Sequence, residues 1–322
     1  MNHILVTGGA GFIGSALVAQ LVAGGNRVTV LDKLTYAGHP QNLAGIDCTL
    51  IEGDITDAAM LAMLFSDHRF DAAIHVAAES HVDNSIAGSA AFIETNILGT
   101  HRLLEAARAA RVKRFLQVST DEVYGALGEE GVFTTDSPMQ PNSPYAASKA
   151  GADHLVRSWY KTYGMETIIT RCCNNYGPRQ HPEKLIPRMI SNALAGQPLP
   201  VYGEGKQMRE WIHADDHARG VIAALQRGTP GEVYLLGTGV ERRNLELVEL
   251  LCDLLGNQAH ALITFVADRP GHDFRYALDI SATEKALGFT PSIGFEEGMR
   301  ATVDWYRSHP EWIETMLAWK GK

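Results

Sequence analysis

Thr120, Asp121 and Glu122 stand side by side after an apolar run, inside Ser119-Thr120-Asp121-Glu122-Val123-Tyr124-Gly125. A hydroxyl donor, an acid and a base in consecutive positions can carry general acid–base chemistry if their surroundings pull the two carboxyl pKa values apart. An adjacent acidic pair alone is more often a solvated turn. A second pair adds weight: Tyr145 and Lys149, in Tyr145-Ala146-Ala147-Ser148-Lys149, open a segment patterned as a helix to about Tyr163. Four apart, they share a face one turn apart, where the ammonium can favour phenolate. Such a phenol can take a proton from an alcohol while a hydride leaves for a nicotinamide. In isolation this spacing describes an ordinary amphipathic helix; downstream of a nucleotide fold it reads as catalytic.

The elements that must position these groups do encode such a fold. Ile4-Leu5-Val6 leads into Thr7-Gly8-Gly9-Ala10-Gly11-Phe12-Ile13-Gly14, after which Ala16, Leu17, Val18 and Leu21 recur at helical spacing. One glycine permits the tight turn, one lets backbone approach a pyrophosphate, and one lets helix and strand pack closely. The helix N-terminus then offers free N–H groups to phosphate. A second strand, Asn26 to Leu31, ends in Asp32, about twenty residues on, where a dinucleotide fold places its ribose-binding acid. Asp32 would repel a 2′-phosphate, which favours NAD over NADP; Lys33 beside it pulls the other way.

Alternation continues with Thr49 to Ile51, a helix over 57–66, Ala72 to Val76, a long helix over about 88–110, Arg114 to Val118 and Met165 to Cys172. This predicts an α/β fold, a doubly wound, Rossmann-like parallel sheet with ligands at its carboxyl edge. Asp54 and Ile55, Ala77 and Ala78, and the Thr120 triplet all follow strand ends. Beyond Asn174 the texture changes to loops and shorter elements, with helices near 185–195, 214–227 and 244–255. The expectation is an NAD-binding domain over residues 1–175 carrying the catalytic residues. A smaller mixed α/β C-terminal substrate lobe would cover 176–322, with possible chain exchange between the two. Lys184, Arg209 and Arg269 lie there in loop-like contexts suited to a diphosphate, although each alone is an ordinary surface charge.

The bulk numbers agree with this class. At 322 residues, 45% hydrophobic and 20% charged, the chain can bury a large core, and a disordered or fibrous class is excluded. A net charge of −9 argues against nucleic acid or an anionic membrane as the main partner, while leaving room for a local basic pocket. Four cysteines without ligand spacing and thirteen histidines without a His-x-x-x-His pair on a predicted helix, the His213/His217 spacing starting before the helix near 214–227, predict no metal site. The opening Met-Asn-His-Ile-Leu-Val-Thr goes straight into a strand, with no leader and no long apolar span, which predicts a cytoplasmic protein.

Together the glycine motif, Tyr145-x-x-x-Lys149 and Thr120-Asp121-Glu122 resemble the extended short-chain dehydrogenase/reductase superfamily, and within it most of all the dTDP-glucose 4,6-dehydratases. The likeness spans nearly the whole chain, including Asp32 to Gly38, Ala77 to Asp83, Asn174 to Pro178, Pro182 to Pro187 and Arg269 to Asp273. The acidic pair discriminates, because epimerases and decarboxylases resembling this fold generally lack it. The resemblance implies that Tyr145 deprotonates the sugar's 4-hydroxyl as hydride passes to NAD, helped by Thr120 and Lys149. Glu122 would then take the carbon-5 proton, Asp121 would protonate the departing 6-hydroxyl, and hydride would return to carbon 6.

It further implies cofactor contacts from Gly8, Gly11, Phe12, Ile13, Gly14, Asp32, Lys33, Thr35, Asp54, Ile55, Ala77, Ala78, Tyr145 and Lys149. Substrate contacts would come from Asn174, Lys184, Leu185, Pro200, Tyr202, Arg209, Asn244, Arg269 and His272. Core packing is the bland reading of Leu185, Pro200 and Tyr202. A homodimer through the helices near 88–110 and 145–163 is also implied. Arg179, where relatives often carry an aromatic, and Asn84, where an arginine is often seen, bear on the identity of base and sugar. So does the short segment after Trp312. Competing readings are the same dehydration on a UDP-sugar, 4-epimerisation using Tyr145 and NAD alone, and a non-catalytic NAD-binding sensor. The sensor has no chemical need for the acidic pair.

Overall fold

The computed structural model of the protein describes residues 2–268 and 270–321; Arg269 lies outside them. Seven strands form one parallel sheet in the order Val233–Leu236, Glu166–Cys172, Arg114–Thr120, Ala72–His75, His3–Thr7, Arg27–Asp32, Thr49–Glu52. Strand order reverses between His3–Thr7 and Ala72–His75, and a doubly wound sheet opens a crevice at that point beyond its carboxyl edge.

Apolar residues on alternate sides of each strand explain the two layers. Ile4, Val6, Val28 and Val30 face Leu17, Val18, Ala218 and Val221 of the Phe12–Ala23 and Ala214–Arg227 helices. Leu5, Leu31 and Phe115 face the opposite layer, where Leu61, Leu64, Leu103, Leu104, Val156 and Trp159 sit on the Ala58–Asp67, Thr100–Ala109 and Pro144–Tyr163 helices. A separate core around Tyr176, Ile190, Trp211, Leu247, Met299 and Tyr306 belongs to the smaller lobe. Its strands make a three-stranded mixed sheet (Glu241–Arg243, Met208–His213, Asn174–Tyr176) and a parallel pair (Ile263–Val266, Leu199–Tyr202).

Two elements differ from the sequence expectation. The seventh strand, Val233–Leu236, comes from the second half of the chain and adds to the outer side of Glu166–Cys172. A four-residue buried run gives too little periodicity to separate strand from helix. The predicted helix over 88–110 is instead a short Val82–Ala87 helix, a break at Gly88 and a helical run from Ala90 to Ala109 interrupted by a π turn at Ile93–Gly99. The cause is local. Asn96 turns inward, accepting from Glu79 N (2.9 Å) and donating to Glu79 O (3.0 Å) and Ser148 Oγ (2.8 Å). Such turns recur near functional sites. Among the described residues, no helix is long and apolar enough to cross a membrane.

Candidate active site

A cavity of about 360 Å³ runs along the carboxyl edge into the small lobe. Its floor is the glycine turn. A Cβ on Gly8 would meet Ala77 Cα and N at 2.6 Å across the switch point, and one on Gly14 would lie 2.0 Å from Gly8 O. Gly8 also adopts φ +71°, a region that side chains disfavour. The Phe12–Ala23 helix begins at Gly11 with no side-chain cap, so its first N–H groups remain available to phosphate. Asp32 accepts from Ala10 N and Leu34 N, both at 2.9 Å, one on each carboxylate oxygen. Each oxygen keeps lone-pair capacity for a ribose hydroxyl. This backbone cradle and acid fit a dinucleotide.

All fourteen cofactor positions read from the sequence line the cavity, together with Thr120, Asp121 and Glu122. Lys33 and Asp54 pair at 2.7 Å on its rim. Of the substrate positions, Asn174, Lys184 and Leu185 line it; Pro200, Tyr202, Arg209, Asn244 and His272 do not, and Arg269 lies outside the described residues. Tyr202 donates to Asp83 Oδ2 (3.2 Å), and His272 Nδ1 pairs with Asp268 Oδ1 (2.6 Å). Asn244 begins the Asn244–Leu255 helix with a buried, unpartnered Oδ1. Arg209 is buried; its guanidinium donates to the carbonyls of Met208 (2.7 Å), Asp273 (2.9 Å) and Phe274 (3.2 Å) and stacks on Tyr276.

At the other end the chemistry-bearing groups are dry. Asp121 is only 2% exposed; Thr120 Oγ1 donates to its Oδ1 at 3.2 Å, and its Oδ2 has no partner. Burial, then the charges of Glu122 and Glu210, push its carboxyl well above the usual carboxylate range. Glu122, half-buried, is held at its amide by Thr120 Oγ1 (3.2 Å). Tyr145 is buried and lines the cavity with Thr120.

Here the phenol differs from expectation. Its pKa is pushed well up, by burial first and then by Glu122. Lys149, whose own pKa is lowered by burial, directs its ammonium to Val118 O at 2.8 Å. Behind it, His75 is held neutral, its pKa down to about 3 through burial and the nearby Lys149.

The support for this end was not legible in the sequence. Arg171 Nε donates to Asp153 Oδ2 (2.9 Å) and its Nη1 to the Tyr124 hydroxyl (2.7 Å). It thereby ties the Tyr145 helix to the acidic turn. Glu210 accepts from Thr238 N (2.5 Å), Gly239 N (2.8 Å) and Leu278 N (2.8 Å), locking the small lobe behind Asp121. Arg171 and Glu210 read as ordinary strand residues because nothing local marks their partners, which lie 18 to 68 positions away. Cavity residues Thr95 and Trp211 carry no motif either.

Comparison with known proteins bears directly on this geometry. Residues 5–302 match the family model described as GDP-mannose 4,6 dehydratase. The dTDP-glucose 4,6-dehydratase of Xanthomonas campestris pv. campestris (strain B100) is 49% identical, over 97% of this chain and 95% of the relative. The chain belongs to the dTDP-glucose 4,6-dehydratase family. Another member, the dTDP-glucose 4,6-dehydratase 1 of Escherichia coli (strain K12), is 47% identical over 97% of this chain and 95% of its own. The likeness holds in three dimensions. The crystal structure of DesIV, a dTDP-glucose 4,6-dehydratase from Streptomyces venezuelae with NAD and TYD bound, superposes with a TM-score of 0.95 at 50% identity, covering 98% of this chain and 99% of that one.

Proposed function

We propose that the chain is a hydro-lyase that converts dTDP-glucose to dTDP-4-keto-6-deoxyglucose with NAD as a recycled cofactor. The observation that carries this reading is the placement of Asp121 and Glu122 on the same cavity wall as Tyr145, with Asp121 buried and its Oδ2 unpartnered. A 4-epimerase needs only the phenol. Two carboxyl groups of opposite protonation state serve the loss of water.

NAD, held by the glycine turn and Asp32, would supply the hydride acceptor for sugar carbon 4 and the hydride donor for carbon 6. Burial and then Glu122 push the Tyr145 phenol well above its ordinary pKa. Once the phenol proton has left to solvent, the Tyr145 phenolate takes the proton of the 4-hydroxyl while Thr120, beside it on the cavity wall, holds that oxygen in line. Lys149 stiffens the helix against Val118 and lends positive charge to the wall. The ketone formed at carbon 4 acidifies carbon 5. Glu122 removes the carbon-5 proton and returns it to carbon 5 as carbon 6 takes the hydride, and Asp121, whose carboxyl burial pushes well above the usual carboxylate range, delivers a proton to the leaving 6-hydroxyl.

Asn174, Lys184 and Leu185 contact the substrate on the small-lobe side of the cavity. Arg209, Pro200, Tyr202, Asn244 and His272 form the outer part of the nucleotide subsite, which assembles around the bound ligand; Arg269 lies outside the described residues. Residues 1–175 hold cofactor and chemistry and 176–322 mainly the sugar nucleotide. Chain exchange between the two is supported by the Val233–Leu236 strand and the Ala214–Arg227 helix on the large sheet. The chain pairs with a second copy through the 90–109 and 144–163 helices, a reading supported by exposed Ile93, Leu98 and Tyr163 there. Four unpaired cysteines suit the cytoplasm.

A panel of dTDP-glucose, UDP-glucose and GDP-mannose tests the substrate. The highest kcat/KM is expected for dTDP-glucose; a higher value for either of the others would reassign the base.

A further inference from the structure

The end of the chain is rooted in the small lobe and reaches the cofactor floor. Trp312, Ile313 and Met316 of the Pro310–Ala318 helix are buried in the small-lobe core. Just beyond it, the half-buried Trp319 points its indole N–H between two carbonyls, Thr35 O at 2.9 Å and Gly38 O at 3.1 Å. Its ring packs edge-on against His39 with centroids 4.7 Å apart.

Thr35 and Gly38 are the two ends of one turn, closed by Gly38 N donating to Thr35 O at 3.0 Å. The inner side of that turn lies on Asp32: a Cβ on Gly38 would sit 2.7 Å from Asp32 Oδ1. A second arm runs through Trp312, whose Nε1 donates to buried Asn42 Oδ1 at 3.0 Å. Asn42 Nδ2 donates to Ala10 O at 2.8 Å, and Ala10 N donates to Asp32 Oδ2 at 2.9 Å. Two indoles on one element of the substrate lobe therefore hold, from outside, the ribose acid, the turn over it and the glycine floor.

We propose that Pro310–Trp319 is a retention strap for the cofactor, with Trp319 and Trp312 as positioning residues that slow release of the dinucleotide. The inference rests on the NAD reading of this cavity. It also gives the strap a use: the same cofactor molecule serves the first and the last chemical step of a turnover, so its loss between them would strand a ketone on the enzyme. Neither tryptophan is among the residues lining the cavity, so their effect passes through the backbone at Thr35, Gly38 and Ala10. The strap further couples cofactor hold to the small lobe, because any displacement of that lobe's core carries Trp312 with it.

The test uses the NAD-loaded protein. Trp319→Phe keeps a ring against His39 and removes the forked N–H; Trp312→Phe interrupts the arm through Asn42. NAD remaining on the protein is followed over time after rapid gel filtration into cofactor-free buffer. The melting temperature of the NAD-free forms and kcat at saturating NAD are measured alongside. The strap predicts release about tenfold faster in Trp319→Phe, equivalent to about 1.4 kcal/mol, with NAD-free melting and saturated kcat close to the parent's. Trp312→Phe, read separately, is expected to accelerate release in the same direction, so the proposal stands or falls even where one variant does not fold. Release at the parent rate from a Trp319→Phe protein that carries NAD overturns the strap alone. A parent that neither retains nor binds NAD overturns the cofactor reading and the strap with it.

Discussion

The two ends of the cavity are built on different principles. At the Tyr145 end, side chains do the work and burial sets their proton occupancy: Asp121 and Tyr145 are both raised by removal from water, with Glu122 adding to each. At the Asp32 end the backbone does the work. A Cβ on Gly8 or Gly14 would collide with neighbouring backbone, and the carboxylate of Asp32 is fixed by two amides. A reaction that moves protons needs the first kind of environment, whereas a cofactor that must be held and reused needs the second.

Mutations at the two ends should therefore fail in different ways. The largest effect is expected from Glu122→Gln: kcat for dehydration falls by about 10²–10⁴-fold while NAD content is kept, as measured by product formation and by cofactor released on denaturation. Intact turnover in that variant would sink the proposed role. Next comes Arg171→Met, which strands Asp153 as a buried unpaired carboxylate; loss of about 3–5 kcal/mol is expected in urea unfolding, and unchanged stability would remove Arg171 from the support of the acidic turn. Gly14→Ala attacks the other end. Its Cβ would lie 2.0 Å from Gly8 O, and a cost of about 1–3 kcal/mol should appear as weaker NAD binding by titration.

Asp121→Asn separates function from stability. Because the folded-state pKa of Asp121 is raised, the folded form keeps its proton above about pH 4 while the unfolded chain loses it. Asp121's contribution is thus fully present at low pH and lost as pH rises toward the folded pKa. The Asn variant, inactive in dehydration, should melt higher than the parent at pH 7, with the difference shrinking as pH falls to 4. A lower melting temperature at pH 7 would show that Asp121 is ionised in the fold. The smallest effect belongs to Lys33→Ala. Its partner Asp54 is 28% and Lys33 itself 58% exposed at the side chain, so a stability change within about 1 kcal/mol is expected, diminishing with salt.

The same contrast explains what could be read from sequence. The placement of the glycine turn, Asp32 and the strand-end residues along the cavity was legible because it lies in local backbone shape, which glycine spacing and strand–helix alternation encode. The helix carrying Tyr145 and Lys149 begins at Pro144, within one residue of the expectation. Long-range properties were not legible. Lys149 suggested a lowered phenol, yet its ammonium goes to Val118 and burial dominates. Arg209 looked like a free loop cation and is instead buried under three carbonyls. The Val233–Leu236 strand, the π turn made by Asn96 and the reach of Trp319 back to Thr35 all depend on partners far away in the chain.

The central claim is that the dry carboxyl pair makes this cavity remove water. The most direct measurement is the mass of the product formed from dTDP-glucose by the NAD-loaded protein, with the NADH level followed alongside. The account predicts a sugar nucleotide lighter by one water and no net NADH. A product of the same mass as the substrate, or no product at high enzyme concentration, would contradict it.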